Sequence, residues 1–327
     1  MGLDSLVDEK RRQCKEFSKP TLYLLDSFHP DVEAYCRQNF NSVFPGDPDH
    51  EHWRKKARYI LVRSSVVTAE DLTSSPNLLA IGKQGVGIDN INGEACAARG
   101  IRIFNTPGVN ARAVAEIVLT LATAAARGLG RITSLQTQGV LVPKETCTGQ
   151  TLQRRSIGII GMGHIGQEVA SIFRGAFESP VIAYDPFLPA NAWPDIPHTR
   201  AASIEQVLRE ADIVTLHTPL TAQTRNMISY PQLQIMKRTA ILINAARGAI
   251  INEADLEKAL REGLIWGVGL DCHEQEPPSK DKYGSLWELG VVSTPHIGAA
   301  TEQTRKETGM MAARRVYEFA MLQQEVM

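Results

Sequence analysis

A glycine-spaced turn constrains what this chain can fold into more than any other feature. In Ser156-Ile157-Gly158-Ile159-Ile160-Gly161-Met162-Gly163-His164-Ile165-Gly166 a short apolar run leads into glycines spaced for a strand-to-helix turn, and Asp185 follows nineteen positions after the last of them. Gly161 permits the tight turn, Gly163 lets the backbone approach a pyrophosphate, and Gly166 lets the helix pack closely on the strand. The N–H groups and positive dipole end of the helix then face the phosphates. Asp185 ends a second apolar run, Val181-Ile182-Ala183-Tyr184, where it can accept the ribose hydroxyls of a dinucleotide. A lone glycine fingerprint is weak evidence, but strand, turn, helix and acid coincide here. A carboxylate at this point repels a 2′-phosphate, and Pro186-Phe187-Leu188-Pro189 offers no basic clamp, so NAD is expected over NADP.

Short apolar runs alternate with helix-compatible stretches on both sides of the turn. Before it they fall at 21–26, 59–63, 78–82 and 101–105; from the turn onward they fall at 155–160, 180–185, 212–217, 240–245, 266–271 and 290–294. Alternation of this kind predicts α/β architecture with parallel sheets, and six strands after the turn suit a Rossmann domain. Ala111 to Ala126 is apolar around most of a helical circumference, as in a connecting helix buried between domains or subunits. Thr301 to Phe319 is helical in composition and is expected to return to the first domain. Phe187 to Pro197, rich in proline, reads as a surface loop. The expected fold is two doubly wound parallel-sheet domains: a Rossmann NAD-binding domain over 111–299, inserted into a flavodoxin-like substrate domain made of 1–110 and 300–327.

Charge and cysteine usage exclude several function classes. With 35 basic and 36 acidic residues in 327 there is no global attraction to nucleic acid or to an anionic membrane. The five cysteines, Cys14, Cys36, Cys96, Cys147 and Cys272, are scattered and form no CxxC pair, which argues against a disulfide framework or a zinc site. No run of apolar residues is long enough to span a bilayer, Met1 to Lys19 is polar and mixed in charge, and Leu6 stands where N-myristoylation wants Ser or Thr. A cytoplasmic protein without bound metal is expected.

Hydride transfer to a carbonyl needs a proton donor beside the developing alkoxide, and an imidazole supplies it most readily near neutral pH. Of eight histidines, His296 lies just after the last strand, in Ser293-Thr294-Pro295-His296-Ile297-Gly298, at the sheet edge where ligands bind. Asn244-Ala245-Ala246-Arg247-Gly248 places a guanidinium after another strand, where its planar fork could bind a carboxylate bidentately. Gly269-Leu270-Asp271-Cys272-His273-Glu274-Gln275-Glu276-Pro277 ends a third strand in carboxylates, one of which could hold the histidine and raise its pKa. Spacing alone does not choose among Asp271, Glu274 and Glu276.

These segments, together with Val62-Arg63-Ser64-Ser65, Gly82-Lys83-Gln84-Gly85-Val86-Gly87-Ile88-Asp89-Asn90, Asn105-Thr106-Pro107-Gly108 and His217-Thr218-Pro219-Leu220-Thr221, resemble the D-isomer-specific 2-hydroxyacid dehydrogenase family from about Thr21 to about Phe319. The likeness is greatest to its phosphoglycerate dehydrogenase branch. The resemblance implies a catalytic triad of Arg247, Glu276 and His296, with Glu276 as the partner of the histidine. It implies cofactor contacts at Gly161, Gly163, His164, Ile165, Gly166, Asp185, Thr218, Ala245, Asp271 and Gly298, and leaves His217 and His273 without a role. Substrate contacts are expected from Arg63, Lys83, Arg247 and the backbone N–H groups of Gln84, Gly85 and Val86.

The chain departs from the phosphoglycerate-specific pattern at Lys83-Gln84, and at Gly139-Val140-Leu141-Val142-Pro143-Lys144, which lacks a Trp and an Arg. No regulatory domain is expected after the return helix. The expected activity is hydride transfer between NAD(H) and a small anionic 2-oxo or 2-hydroxy acid, by a homodimer with no nucleic-acid or membrane partner. The alternative is an NAD(H)-sensing, corepressor-like binding protein of the same fold. Such proteins use long unstructured tails, and only about twenty residues precede the first strand here.

Overall fold

Strands of a parallel sheet are covered on both faces and therefore read as continuous apolar runs. In the computed structural model, which describes residues 19–325, every position is buried in Ile157–Ile160, Ile213–Leu216 and Ile241–Asn244. Cys14 and the N-terminal lipidation reading at Leu6 lie outside the described residues. The chain divides into two compact units, one discontinuous, up to Thr106 and from Arg305, and one spanning Pro107–Thr304.

The discontinuous unit holds β1 (Thr21–Leu24), β2 (Asn41–Val43), β3 (Tyr59–Val62), β4 (Ala80–Lys83) and β5 (Arg102–Phe104), all parallel, in the order β2-β1-β3-β4-β5. This is the flavodoxin-like doubly wound order. β2 escapes sequence reading because it is a three-residue edge strand, Asn-Ser-Val, too short and too polar to register as an apolar run. The helix Glu302–Glu325 does lie on this sheet: Ala312, Ala313, Val316 and Ala320 are buried with Leu22, Leu24, Tyr59 and Ala80. Gly82 allows this packing, since a β-carbon there would lie 2.7 Å from Leu61 and 2.8 Å from Val316.

The second unit holds β6 (Ile157–Ile160), β7 (Val181–Tyr184), β8 (Thr199–Arg200), β9 (Ile213–Leu216), β10 (Ile241–Asn244), β11 (Gly267–Leu270) and β12 (Val292–Ser293). All pair in parallel, in the order β12-β11-β10-β9-β6-β7-β8. That is the Rossmann order with one strand more than the six expected. The addition is β8, a two-residue pairing on β7 that has no periodicity to detect. Strand order reverses between β6 and β9, so the glycine turn after β6 lies at the switch point where such sheets bind ligands.

The helix Ala111–Ala126 packs within this unit on β10, β11 and the helix His164–Phe177. Its burial is one-sided: Val114, Ala115, Val118, Leu121 and Ala122 face inward, while Arg112 and Glu116 form an exposed ion pair at 3.1 Å. It is an amphipathic helix on the sheet, not one apolar all round. The loop from Phe187 to Pro197 is exposed at Phe187 but anchored at Trp193, which is buried and donates Nε1–H to the Met162 carbonyl at 2.8 Å. No single helix among the described residues is long and apolar enough to cross a membrane.

Candidate active site

At the switch point each glycine has a distinct steric reason. Gly161 has φ +102°, and a β-carbon on it would lie 2.5 Å from the His217 carbonyl oxygen. One on Gly166 would lie 2.4 Å from the Gly161 oxygen, whereas one on Gly163 would meet nothing within 4 Å. Open space at Gly163 is what a pyrophosphate approaching the backbone requires. No side chain caps the helix His164–Phe177, so its N-terminal turn keeps its donors for an anion.

The flanking residues fit a dinucleotide as well. Thr218 Oγ1 is buried beside the turn with no partner, an orphaned polar atom that a ligand can satisfy. Asp185 accepts from the Met162 N–H at 3.0 Å and the Phe187 N–H at 2.9 Å, which holds its carboxylate against the glycine turn. His164 is exposed and Ile165 half-buried. His217 has Nε2 on Thr215 Oγ1 at 2.9 Å and a buried, unpartnered Nδ1, and burial pushes its pKa down to about 3. It is a neutral structural imidazole.

Three loops at the carboxyl ends of β10, β11 and β12 carry the other candidate residues. After β10, the Asn244 side chain accepts from the Ala246 N–H at 3.1 Å and donates to the Arg247 carbonyl at 2.7 Å, closing a turn that presents Arg247. Ala245 and Ala246 are buried beneath it, and the guanidinium Nη1 donates to the Ala246 carbonyl at 2.7 Å. Gly248 lets this turn touch the next loop, because a β-carbon there would lie 2.0 Å from the His273 carbonyl carbon.

Asp271, at the end of β11, is fully buried and organises the loop after β12. Its Oδ1 accepts from Thr294 Oγ1 at 2.6 Å and the Ile297 N–H at 2.8 Å, and its Oδ2 accepts from the Gly298 N–H at 2.8 Å. Its carbonyl accepts from the His296 N–H at 2.7 Å. These bonds hold His296 in a left-handed conformation, φ 57°, that a non-glycine residue adopts at a cost of about 1–3 kcal/mol. Asp271 and Gly298, expected as cofactor contacts, here brace the histidine loop.

Glu276 Oε2 lies 2.8 Å from His296 Nδ1, and its other oxygen accepts from the His273 N–H at 3.1 Å. The Cys272 sulfur and the Glu276 carboxylate raise the imidazole pKa to about 10 against the opposing effect of burial. Burial keeps the Cys272 thiol itself protonated, so at neutral pH the full negative charge beside the ring is that of Glu276. Burial works to raise the Glu276 pKa, but hydrogen bonds from His296 and the His273 backbone win and lower it. The pair is therefore imidazolium and carboxylate. Geometry selects Glu276 where spacing left three acids open. Glu274 faces Lys282 instead, at 3.3 Å. His273 packs edge-on against Tyr283 and bonds Ser293, with burial lowering its pKa, as a structural loop residue does.

Residues 119–298 match the family described as D-isomer specific 2-hydroxyacid dehydrogenase, NAD binding domain. A hydroxypyruvate reductase from Thermotoga maritima is 36% identical over 260 residues, covering 79% of this chain and 83% of that protein. The chain belongs to the D-isomer specific 2-hydroxyacid dehydrogenase family. A D-3-phosphoglycerate dehydrogenase from Methanocaldococcus jannaschii is also 36% identical over 80% of this chain, which spans only 49% of that relative's length. Among solved structures, D-lactate dehydrogenase from Aquifex aeolicus, complexed with NAD and lactic acid, superposes with TM-score 0.78 at 27% identity, covering 93% of this chain and 96% of that one. The second unit is thus the NAD-binding domain of this dehydrogenase family, and nothing in these relatives supports the corepressor-like alternative.

In the other unit the expected substrate contacts of the dehydrogenase are partly committed elsewhere. Lys83 is buried, and its ammonium donates to the Arg63 carbonyl at 2.6 Å and the Gln84 carbonyl at 2.9 Å. The Gln84 N–H donates to the Val62 carbonyl at 2.9 Å and the Gly85 N–H to Thr106 Oγ1 at 3.0 Å, so of the three expected anion-binding N–H groups Val86 is left. Asp26 accepts the N–H groups of Arg63, Ser64 and Ser65 and so shapes the turn after β3, with the Arg63 side chain half-exposed. Lys144 is a solvated surface lysine, 92% exposed.

Sequence reasoning overlooked three residues. Cys272 underlies His296 and donates to the Ala246 carbonyl at 3.4 Å, Thr294 hydrogen-bonds Asp271, and Arg200 on β8 bonds the carbonyls of Asp185 and Leu188. Thr294 lay within a segment that carries the family resemblance without being assigned a role, whereas nothing in the sequence singled out the contacts of Cys272 or Arg200.

Proposed function

We propose that this protein reduces a small 2-oxo acid to the D-2-hydroxy acid with NADH, and catalyses the reverse reaction with NAD. The observation that carries the reading is the Glu276–His296 pair, an imidazolium held by a carboxylate on the same strand-end surface that presents Arg247. When bound, the dinucleotide supplies or accepts the hydride. Arg247 grips the carboxylate of the substrate with a planar fork and polarises the keto oxygen. Nδ1 of His296 is taken by Glu276, so Nε2 gives the proton to the developing alkoxide and takes it back in oxidation. Gly161, Gly163 and Gly166 with the uncapped helix receive the pyrophosphate. Asp185 receives the ribose and disfavours NADP.

Burial of Lys83 and solvation of Lys144 leave neither as a ready phosphate ligand, which supports an unphosphorylated substrate such as hydroxypyruvate or glyoxylate. We place the enzyme in a reducing cytoplasm as a homodimer, where the free cysteines among the described residues, Cys36, Cys96, Cys147 and Cys272, are stable as thiols. Steady-state NADH oxidation with a panel of 2-oxo acids tests the proposal. Glyoxylate or hydroxypyruvate turns over, with kcat/KM at least equal to that for 3-phosphohydroxypyruvate. A tenfold preference for the phosphorylated acid, about 1.4 kcal/mol, contradicts the substrate reading, and absence of turnover with every acid contradicts the function. Sedimentation tests the dimer.

A further inference from the structure

One thiol, one imidazole and one carboxylate meet at the ends of β11 and β12. The Cys272 sulfur, a Glu276 oxygen and a His296 ring nitrogen all lie within 4.8 Å of one another. These are the donor types that hold zinc, and a tetrahedral ion with ligands at about 2.0–2.3 Å has edges about 1–1.5 Å shorter than this spread. Small rotations of two side chains would close it. The cluster is also asymmetric: Cys272 is buried while Glu276 and His296 reach the surface. A cation entering from solvent would meet the carboxylate first, and coordination would release one proton from the His296 imidazolium and one from the Cys272 thiol to solvent, with a fourth position left for water.

We infer that Cys272, Glu276 and His296 form an inhibitory site for a thiophilic divalent cation, with zinc as the favoured occupant. Three features of the fold support it. Glu276 is oriented by the His273 N–H on its other oxygen, and the His296 backbone is fixed by the Asp271 carbonyl, so two of the three ligands are already held. The sulfur donor selects zinc over magnesium and calcium, which prefer oxygen. The three ligands come from one strand end and two loops, which is why the scattered cysteines give no zinc pattern in sequence. Coordination engages the imidazole and the carboxylate that the catalytic reading needs, so the loaded protein cannot deliver a proton. That last step rests on the proposed role of His296; the binding itself does not.

Cobalt(II) serves as the probe, because a cobalt–thiolate bond gives a near-ultraviolet charge-transfer band whether or not the protein turns over any acid. The full chain titrated with cobalt(II) develops this band, zinc displaces it, and Cys272→Ser, close in size but without the soft donor, abolishes it. Absence of the band in the parent protein overturns the site, and its persistence in Cys272→Ser, which would assign it to another cysteine, overturns it equally. With an active preparation, zinc inhibits reversibly on chelation. Relative to its own uninhibited rate, Cys272→Ser needs at least about tenfold more zinc for half-inhibition. Equal sensitivity in the two proteins overturns the inhibitory role. A band without any turnover would instead locate the failure in the catalytic reading.

Discussion

Gly248 and His273 approach so closely that no β-carbon fits between them: one on Gly248 would lie 2.0 Å from the His273 carbonyl carbon and 2.1 Å from its oxygen. The contact is backbone against backbone, and it locks the turn presenting Arg247 to the loop carrying Glu276.

Gly248→Ala therefore cannot be relieved by a rotamer change. Overpacking of this kind costs about 1–3 kcal/mol, which lowers Tm by about 2–4 °C per kcal/mol in a domain of this size. Misplacing Arg247 by an ångström adds a loss of turnover on the order of 10²-fold. Calorimetry and steady-state kinetics on the variant check both, and parent-like values in each would show that the loop contact does not set the site.

Glu276→Gln separates charge from shape. The parent imidazole, raised from 6.5 to about 10, keeps its proton across the neutral range. The protonated ring is the donor in reduction, so activity is present below its pKa and lost as pH rises through it. Without the carboxylate the pKa falls, with the Cys272 sulfur still beside the ring, and the alkaline limb of reduction moves to lower pH. A kcat/KM profile with an unmoved limb would reduce Glu276 to a purely structural part.

Arg247→Lys keeps the charge but loses the fork. Lysine is a point charge on a flexible stem and cannot bind a carboxylate and a keto oxygen together. We expect kcat/KM to fall by about 10²-fold or more, as for loss of a positioned electrostatic group. A lysine variant with near-parental KM and kcat would remove Arg247 from the substrate site.

Asp185→Ser tests the cofactor reading. The carboxylate sits against the glycine turn through Met162 and Phe187, so its removal takes away the charge that repels a 2′-phosphate and part of the turn's bracing. The ratio of kcat/KM for NADH over NADPH should fall at least tenfold, about 1.4 kcal/mol, with some loss for NADH itself. An unchanged ratio would assign cofactor choice to other residues.

Much of this was legible in the sequence because two strong signals agree. Parallel strands buried on both faces read as uninterrupted apolar runs, and the glycines of the turn follow from close approach. β2 and β8 were not legible, because an edge pairing of two or three residues has no pattern. Spacing could not choose Glu276 from Asp271 and Glu274: all three follow one strand, and only the folded loop decides which faces His296. Lys83 shows what spacing leaves out. A lysine at a strand end reads as a substrate ligand, but carbonyl oxygens of Arg63 and Gln84 converge on its ammonium. Cys272 was invisible because what matters is its contact with a histidine twenty-four positions away.

The proton donor is the centre of the account, and His296→Gln tests it most directly. NADH binding, followed by fluorescence, should stay near the parent value, because the glycine turn, Thr218 and Asp185 are untouched. Turnover of the best 2-oxo acid should fall by about 10²-fold to 10⁴-fold, the usual contribution of a positioned acid–base group. A variant that binds NADH normally and still reduces the acid at the parental rate would contradict the account.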